Sequence, residues 1–118
     1  MKLYVVPTNH VYQYWDLAEP LLQKALDKGN GEFTASQLKL LVIQGQQQLL
    51  VLMDEDKCHC AFTVQWINFP NERVAYITYM GGRNTKAGFE DFKVWVKSHG
   101  GNCIQGSTKY ESIVKLFN

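Results

Sequence analysis

Apolar residues recur along this chain with two different periods, and each change of period marks an element. After a short apolar run, "LYVV", stopped by Pro7, the positions Val11, Tyr14, Trp15, Ala18, Leu21, Leu22, Ala25 and Leu26 fall on one face at helical spacing. Thr8 or Asn9 is the expected cap of that helix. Pro20 interrupts the pattern and predicts a kink or a second helix, because it lacks an N–H and crowds the preceding turn. "TASQ" (Thr34 to Gln37) has the form of a capping box, and Leu38, Leu41 and Val42 continue a second helix that Gly45 ends. Then the pattern becomes that of strands: "QLLVLMD", the turn "EDK", the long "CHCAFTVQWINF", a turn at Pro70-Asn71, and "RVAYITYM", broken by Gly81 and Gly82. Helical spacing returns at Phe89, with Phe92, Trp95, Val96 and His99 on one side. "HGGN" stops this helix, "CIQGS" reads as a short strand, and "YESIVKLF" as the start of a last helix.

The order β α α β β β α β α implies a single α/β (α+β) domain over residues 1–118, with helices flanking a mixed sheet. Composition adds limits. Of 118 residues 46% are apolar, enough for a core without staples, and the formal charge of +1 argues against binding nucleic acid or anionic membrane by bulk electrostatics. No apolar run reaches the ~18 residues of a membrane span, and "MKLYVVPTNH" lacks the form of a signal peptide. A cytoplasmic location follows as the expectation. The 3 cysteines, an odd number, suit reduced thiols better than a disulfide framework.

"CHC" (Cys58, His59, Cys60) raises the question of a metal. On a regular strand the two thiols share one face and His59 points to the other, and only Cys103 remains as a further thiol. Zinc needs four converging ligands, so buried free cysteines and no metal are expected. The many aromatics are not interleaved with basic residues, so a stacking platform for nucleic acid is unsupported. Most belong in the core. Trp66 and Phe69, beside the "NFPNER" turn, are the candidates for a surface that contacts another protein.

Strand, glycine pair and helix over "YITYMGGRNTKAGFEDF" is an arrangement that holds phosphates, since a helix N-terminus carries unpaired N–H donors and glycine lets the backbone approach. With "GQQQLLVLMD", "RVAYITYMGG" and "WVKSHGGNCIQGSTKYESIVKLF" around it, this stretch resembles the GNAT acetyltransferase fold, and more narrowly the small GNAT-like proteins of tailed bacteriophages. The resemblance implies a mostly antiparallel central sheet, cut short at the C-terminal side. It also implies an acetyl-CoA site at the turn after the fourth strand, where the family carries Arg/Gln-x-x-Gly-x-Gly/Ala. Here the stretch is Arg83-Asn84-Thr85-Lys86-Ala87-Gly88, so Arg83 and Gly88 match and Lys86 stands in place of the first glycine. Met80, Gly81, Gly82, Arg83, Lys86, Ala87 and Gly88 are thereby the candidate cofactor residues. By the same resemblance Glu72 is the candidate base at the start of the fourth strand and Tyr110 the candidate acid near the last helix.

Two functions are compatible with these residues. One is a phage-type scaffold with a degenerate acyl-CoA site and no cofactor, acting by contact with a host or virion protein. The other is an active acetyl-CoA-dependent N-acetyltransferase acting on an amine of a protein or small molecule.

Overall fold

The computed structural model describes residues 2–28, 31, 33–83, 85–106 and 113–115, with 85–87 and 113–115 described by their backbone. Six strands form one sheet in chain order: β1 (Lys2–Val6), β2 (Gln48–Asp54), β3 (Lys57–Asn68), β4 (Arg73–Gly82), β5 (Cys103–Gly106) and β6 (Ile113–Lys115). Only β4 and β5 run parallel, joined by the crossover helix α3 (Thr85–Ser98); the remaining neighbours are antiparallel. Helices α1 (Val11–Lys28) and α2 (Ala35–Ile43) lie between β1 and β2 in sequence.

Two cores follow from the period-2 alternation of the strands. Leu49, Val51 and Ala61 face α1 and α2, where they meet Trp15, Ala18, Leu22, Leu38 and Val42. Leu50, Leu52, Phe62, Val64, Ala75 and Ile77 face the other way and meet Phe92 and Val96 of α3. Phe62 and Phe92 pack edge to face with centroids 5.1 Å apart. All eight residues expected on the apolar face of α1 are buried or half-buried, as are Phe89, Phe92, Trp95 and Val96 of α3.

Local signals at the ends of α2 operate as the sequence implies. Thr34 and Gln37 form a reciprocal capping box, with N–H to side-chain oxygen distances of 2.9 and 3.2 Å. At the other end Gly45 takes φ 81°, with Gln46 N–H donating to Leu41 O (3.0 Å) and Gly45 N–H to Val42 O (3.1 Å), a Schellman turn that feeds Gln47 into β2.

Several expectations are corrected. Pro20 lies inside one 18-residue helix and starts no second one: burial of Ala18 and Leu22 on either side outweighs a cost of about 3 kcal/mol. Thr8 and Asn9 belong to a 3₁₀ turn, Thr8–His10, that leads into α1, so the position before the helical stretch is Pro7, which makes no side-chain cap. Helix α3 starts at Thr85, a turn before the apolar period becomes visible at Phe89. The segment read as a last helix contributes β6 instead, because Ile113 and Val114 complete a ladder on the outer edge of β5. Residues 110–112 and 116–118 of that segment lie outside the described residues.

Gly81 and Gly82 do not break β4. The strand runs through both, with Gly81 opposite Ala61 and Gly82 opposite Cys60. Each glycine answers a backbone-to-backbone approach. A Cβ on Gly81 would overlap the Leu21 carbonyl of α1, its carbon at 2.7 Å, and one on Gly82 would overlap the His59 carbonyl and come within 2.6 Å of Cys60 Cα. Neither neighbour is a side chain that could move aside.

This contact predicts that Gly81→Ala lowers the stability of the folded chain by about 3 kcal/mol, the upper end of the usual overpacking cost. Gly106→Ala, where a Cβ meets nothing within 4 Å among the described residues, should change it by no more than about 0.5 kcal/mol. Urea unfolding of the two variants checks both, read as a change in midpoint at constant slope.

Candidate functional site

Among the described residues the β4–β5 ladder pairs Val74 with Cys103, Ala75 with Ile104, Tyr76 with Gln105 and Ile77 with Gly106. Strand β4 continues for five more residues, Thr78 to Gly82. Along Met80–Gly82 its ladder neighbour among the described residues is β3 alone. Directly beyond, α3 begins at Thr85, so the N–H groups of its first turn lie at the end of β4. A strand end followed by a helix N-terminus is the geometric part of a site for an extended ligand that ends in an anion.

The residues expected to line that site divide. Met80 is half-buried on the α3 side and borders a small apolar crevice with Leu52, Cys60, Phe62, Gly88, Phe89 and Phe92, roomy enough for about one water-sized guest. Gly81 and Gly82 are taken up by α1 and β3 as described above. Arg83 N–H donates to the His59 carbonyl at 2.7 Å, which removes it from the donors open to an anion. Gly88 is buried: a Cβ there would stand 3.3 Å from Leu52 Cδ1, so this glycine brings α3 close to β2. Lys86 and Ala87 lie in the first turn of α3, their side chains outside the described residues, as are Asn84 and the whole of Tyr110. The glycines of the expected cradle therefore serve packing, and the donors left at the site are those of the first turn of α3.

Glu72 immediately precedes β4, at the end of the hairpin where Phe69 N–H donates to Glu72 O at 2.7 Å. Six residues of extended strand, roughly 20 Å, separate it from Thr78, so Glu72 lies at the opposite end of β4 from Gly82. Trp66 is half-buried, with the Arg73 guanidinium carbon 4.0 Å from its ring centroid on one side and Trp95 at 5.5 Å. Arg73 ties this corner together: Nε donates to His99 O (2.9 Å) and Nη1 to Asn68 Oδ1 (2.7 Å). Phe69 is exposed, at 55%. Trp66 and Phe69 thus sit at the opposite end of β4 from Gly82.

The "CHC" stretch departs from strand alternation. Leu52 pairs with Cys60 and Met53 with Cys58, so His59 is the extra residue of a β-bulge. The bulge turns the two thiols to opposite faces, Cys58 toward α1 and α2, Cys60 toward α3. The shared face expected for them is thereby corrected. His59 Nε2 lies 3.8 Å from Asp54 Oδ2. Among the described residues no group of three His, Cys, Asp or Glu side chains converges in a way that could hold a metal ion. No helix among them is long and apolar enough to cross a membrane.

Solved structures with a similar arrangement include acetyltransferases. A probable acetyltransferase superposes with a TM-score of 0.69 at 13% identity, over 92% of this chain and 80% of that one. The chain has a GNAT-like fold. An aminoglycoside acetyltransferase from an uncultured soil metagenomic sample, solved with sisomicin, gives a TM-score of 0.67 at 14% identity, over 92% of this chain and 78% of that one. A predicted acetyltransferase from Clostridium acetobutylicum, solved with acetyl-CoA, gives 0.59 at 9% identity, over 92% and 81%. No family model and no curated protein sequence matches the chain. At these identities the GNAT likeness is one of fold.

Sequence reasoning missed one polar group near the site. Thr78 Oγ1 lies 2.8 Å from Gln47 Oε1 and 2.6 Å from Thr63 Oγ1, with Thr63 fully buried and Gln47 nearly so. The signal available was Thr63 inside the apolar run "CAFTV", a polar residue that a buried strand tolerates only with a partner.

Burial pushes the Cys60 thiol up to about 11 and raises that of Cys58 as well. The unfolded chain loses these protons near pH 9, before the folded chain does, so the folded state binds more protons between pH 9 and 11 and stability falls as pH rises through that window. Cys60→Ala should remove on the order of 1–2 kcal/mol of the loss between pH 8 and 11, after allowance for its own packing cost at pH 8. Urea unfolding of both proteins at the two pH values measures the difference.

Proposed function

We propose that this chain is an acetyl-CoA-dependent N-acetyltransferase of GNAT type. The observation that carries the reading is that β4 runs on for five residues past its last described pairing with β5, to Gly82, and that the N-terminus of α3 follows at Thr85. This geometry fits an acyl-CoA with its pantetheine arm along the end of β4 and its pyrophosphate at the first turn of α3. Bound there, acetyl-CoA supplies an acyl thioester for transfer to an amine of a protein or small molecule.

The chain's own part is positioning. Met80 and the crevice beside it offer an apolar wall. A backbone N–H of the β4 end polarises the carbonyl, and the α3 N–H groups hold the phosphates. Bringing amine and thioester together accounts for a large share of the rate in such chemistry, so few side chains are indispensable. Lys86, in the first turn of α3, replaces by charge what the family obtains from a glycine's close approach.

A second reading is favoured by a specific observation, the loss of the Arg83 N–H to His59 together with the use of Gly81, Gly82 and Gly88 in packing. On this reading the chain is a scaffold of the phage type. It needs no cofactor and acts on another protein through the surface near Trp66 and Phe69.

Calorimetric titration with acetyl-CoA and CoA separates the two. The acetyltransferase reading expects a micromolar dissociation constant, raised five- to tenfold in Lys86→Gly, about 1 kcal/mol of charge attraction. A dissociation constant above ~1 mM, worth no more than about 4 kcal/mol, sinks it and leaves the scaffold. Tighter binding by Lys86→Gly than by the natural chain would show that the lysine obstructs the site.

A further inference from the structure

Helix α3 is held to the sheet by contacts of two kinds. Phe89, Phe92 and Val96 pack their apolar surface against a core that includes Leu50, Leu52, Phe62 and Ile77. Such packing is non-directional, and it resists separation of the layers better than sliding along the helix axis. A directional tie acts at the C-terminal end. Arg73, the first residue of β4, donates from Nε to His99 O (2.9 Å) and from Nη1 to Asn68 Oδ1 (2.7 Å), and its guanidinium carbon stands 4.0 Å from the Trp66 ring centroid. His99 directly follows α3.

The end of α3 is shaped to meet this side chain. Gly100 takes φ 79° and its N–H donates to Lys97 O (3.0 Å), while Gly101 N–H donates to Val96 O (2.8 Å), a Schellman turn. That turn uses the Val96 and Lys97 carbonyls. Arg73 takes the His99 carbonyl and places positive charge at the negative end of the helix. Gly101 lies against the Trp66 ring: a Cβ there would stand 2.9 Å from Trp66 Cζ3 and 2.5 Å from Val96 Cγ1. Asn102 completes the tie, accepting the Arg73 N–H on Oδ1 and donating its own N–H to Arg73 O, each at 3.0 Å. The end of α3, the start of β4 and Trp66 of β3 are thereby joined through one residue. A lysine would carry the same charge, but it cannot present two donors in a fixed plane stacked on an indole.

We propose that Arg73 is a positioning residue for the anion site at α3: by fixing the C-terminal end of the helix on the sheet, it sets where the first turn stands beyond β4. A helix of 14 residues is a stiff rod about 20 Å long, so a shift at His99 is carried to Thr85. Near that end Gly88 fits closely against Leu52, where a Cβ would stand 3.3 Å from Cδ1, so this contact responds to a shift along the axis. The ligand of the first turn rests on the acetyltransferase reading; the hold of Arg73 on α3 does not.

Arg73→Met, which keeps the stem and loses the guanidinium, and Arg73→Lys test this, with Val42→Ala in the opposite core as a variant destabilised elsewhere. Two NMR signals read the two ends of α3: the ring-current shift of the Gly101 α-protons by Trp66, and the NOE between the Gly88 α-protons and the Leu52 methyls. The third readout is the dissociation constant for acetyl-CoA. Both Arg73 variants should reduce the Gly101 shift and weaken the Gly88–Leu52 NOE. They should raise the dissociation constant about fivefold, within the range of substitutions remote from a ligand. Val42→Ala should leave both signals in place and the dissociation constant within about twofold. If Arg73→Met does not fold, Arg73→Lys, which keeps the charge, decides by the same criteria. An unchanged Gly101 shift in a folded Arg73 variant overturns the hold. A lost Gly101 shift with an unchanged Gly88–Leu52 NOE overturns its transmission along α3. Both signals altered with an unchanged dissociation constant overturn its control of the anion site. An equal loss of affinity in Val42→Ala overturns positioning in favour of general destabilisation. Failure of the natural chain to bind acetyl-CoA overturns the acetyltransferase reading instead, and the two NMR signals alone then judge the hold of Arg73 on α3.

Discussion

At Gly81 the backbone of β4 passes under the backbone of α1 with no side chain between them. Much of the site's geometry depends on that approach. It presses α1 onto the second half of β4, past the last described pairing with β5, so that end of the strand has a helix layer to rest on. On the opposite face Gly88 brings the first turns of α3 against Leu52. The end of β4 is thus held between two helical layers, with no room for a Cβ at Gly81 and a close fit to the Leu52 side chain at Gly88.

The same contacts decide what the glycine-rich stretch can do. A phosphate cradle needs N–H groups directed at solvent, yet the Arg83 N–H is bonded to the His59 carbonyl, and Gly82 fits closely against the bulge at His59. The donors that remain belong to the first turn of α3. Strand and helix supply the shape of an acyl-CoA site, and most of the glycines belong to the scaffold beneath it.

Two bulges set the chemistry of the sheet faces. Because side chains alternate strictly along a strand, one extra residue reverses the facing of all that follow. At His59 this separates Cys58 from Cys60 across the sheet, which explains why adjacent thiols in sequence are not adjacent in space. At Thr78 it puts a hydroxyl where Gln47 can meet it.

The sequence by itself determined the faces of α1 and α3, the capping box at Thr34, the stop at Gly45 and the succession β2, β3, β4, since each depends on residues a few positions apart. It also carried the fold likeness, in the order of elements and the passage from β4 to α3. Only the tertiary structure decided the rest. Pro20 stays inside α1 because the burial around it is worth more than the hydrogen bond it forfeits. Gly81 and Gly82 remain in β4 because α1 and His59 leave no room for a side chain, a constraint set by Leu21, 60 positions from Gly81, and by His59, 23 positions from Gly82, beyond the reach of local pattern. Glu72 and Gly82 end at opposite ends of one strand, and residues 113–115 pair as β6, because ladders form between segments distant in sequence. Periodicity reports which side of an element is apolar; the position of a bulge and the closeness of two backbones are properties of the partner, and the partner appears only when the chain is folded.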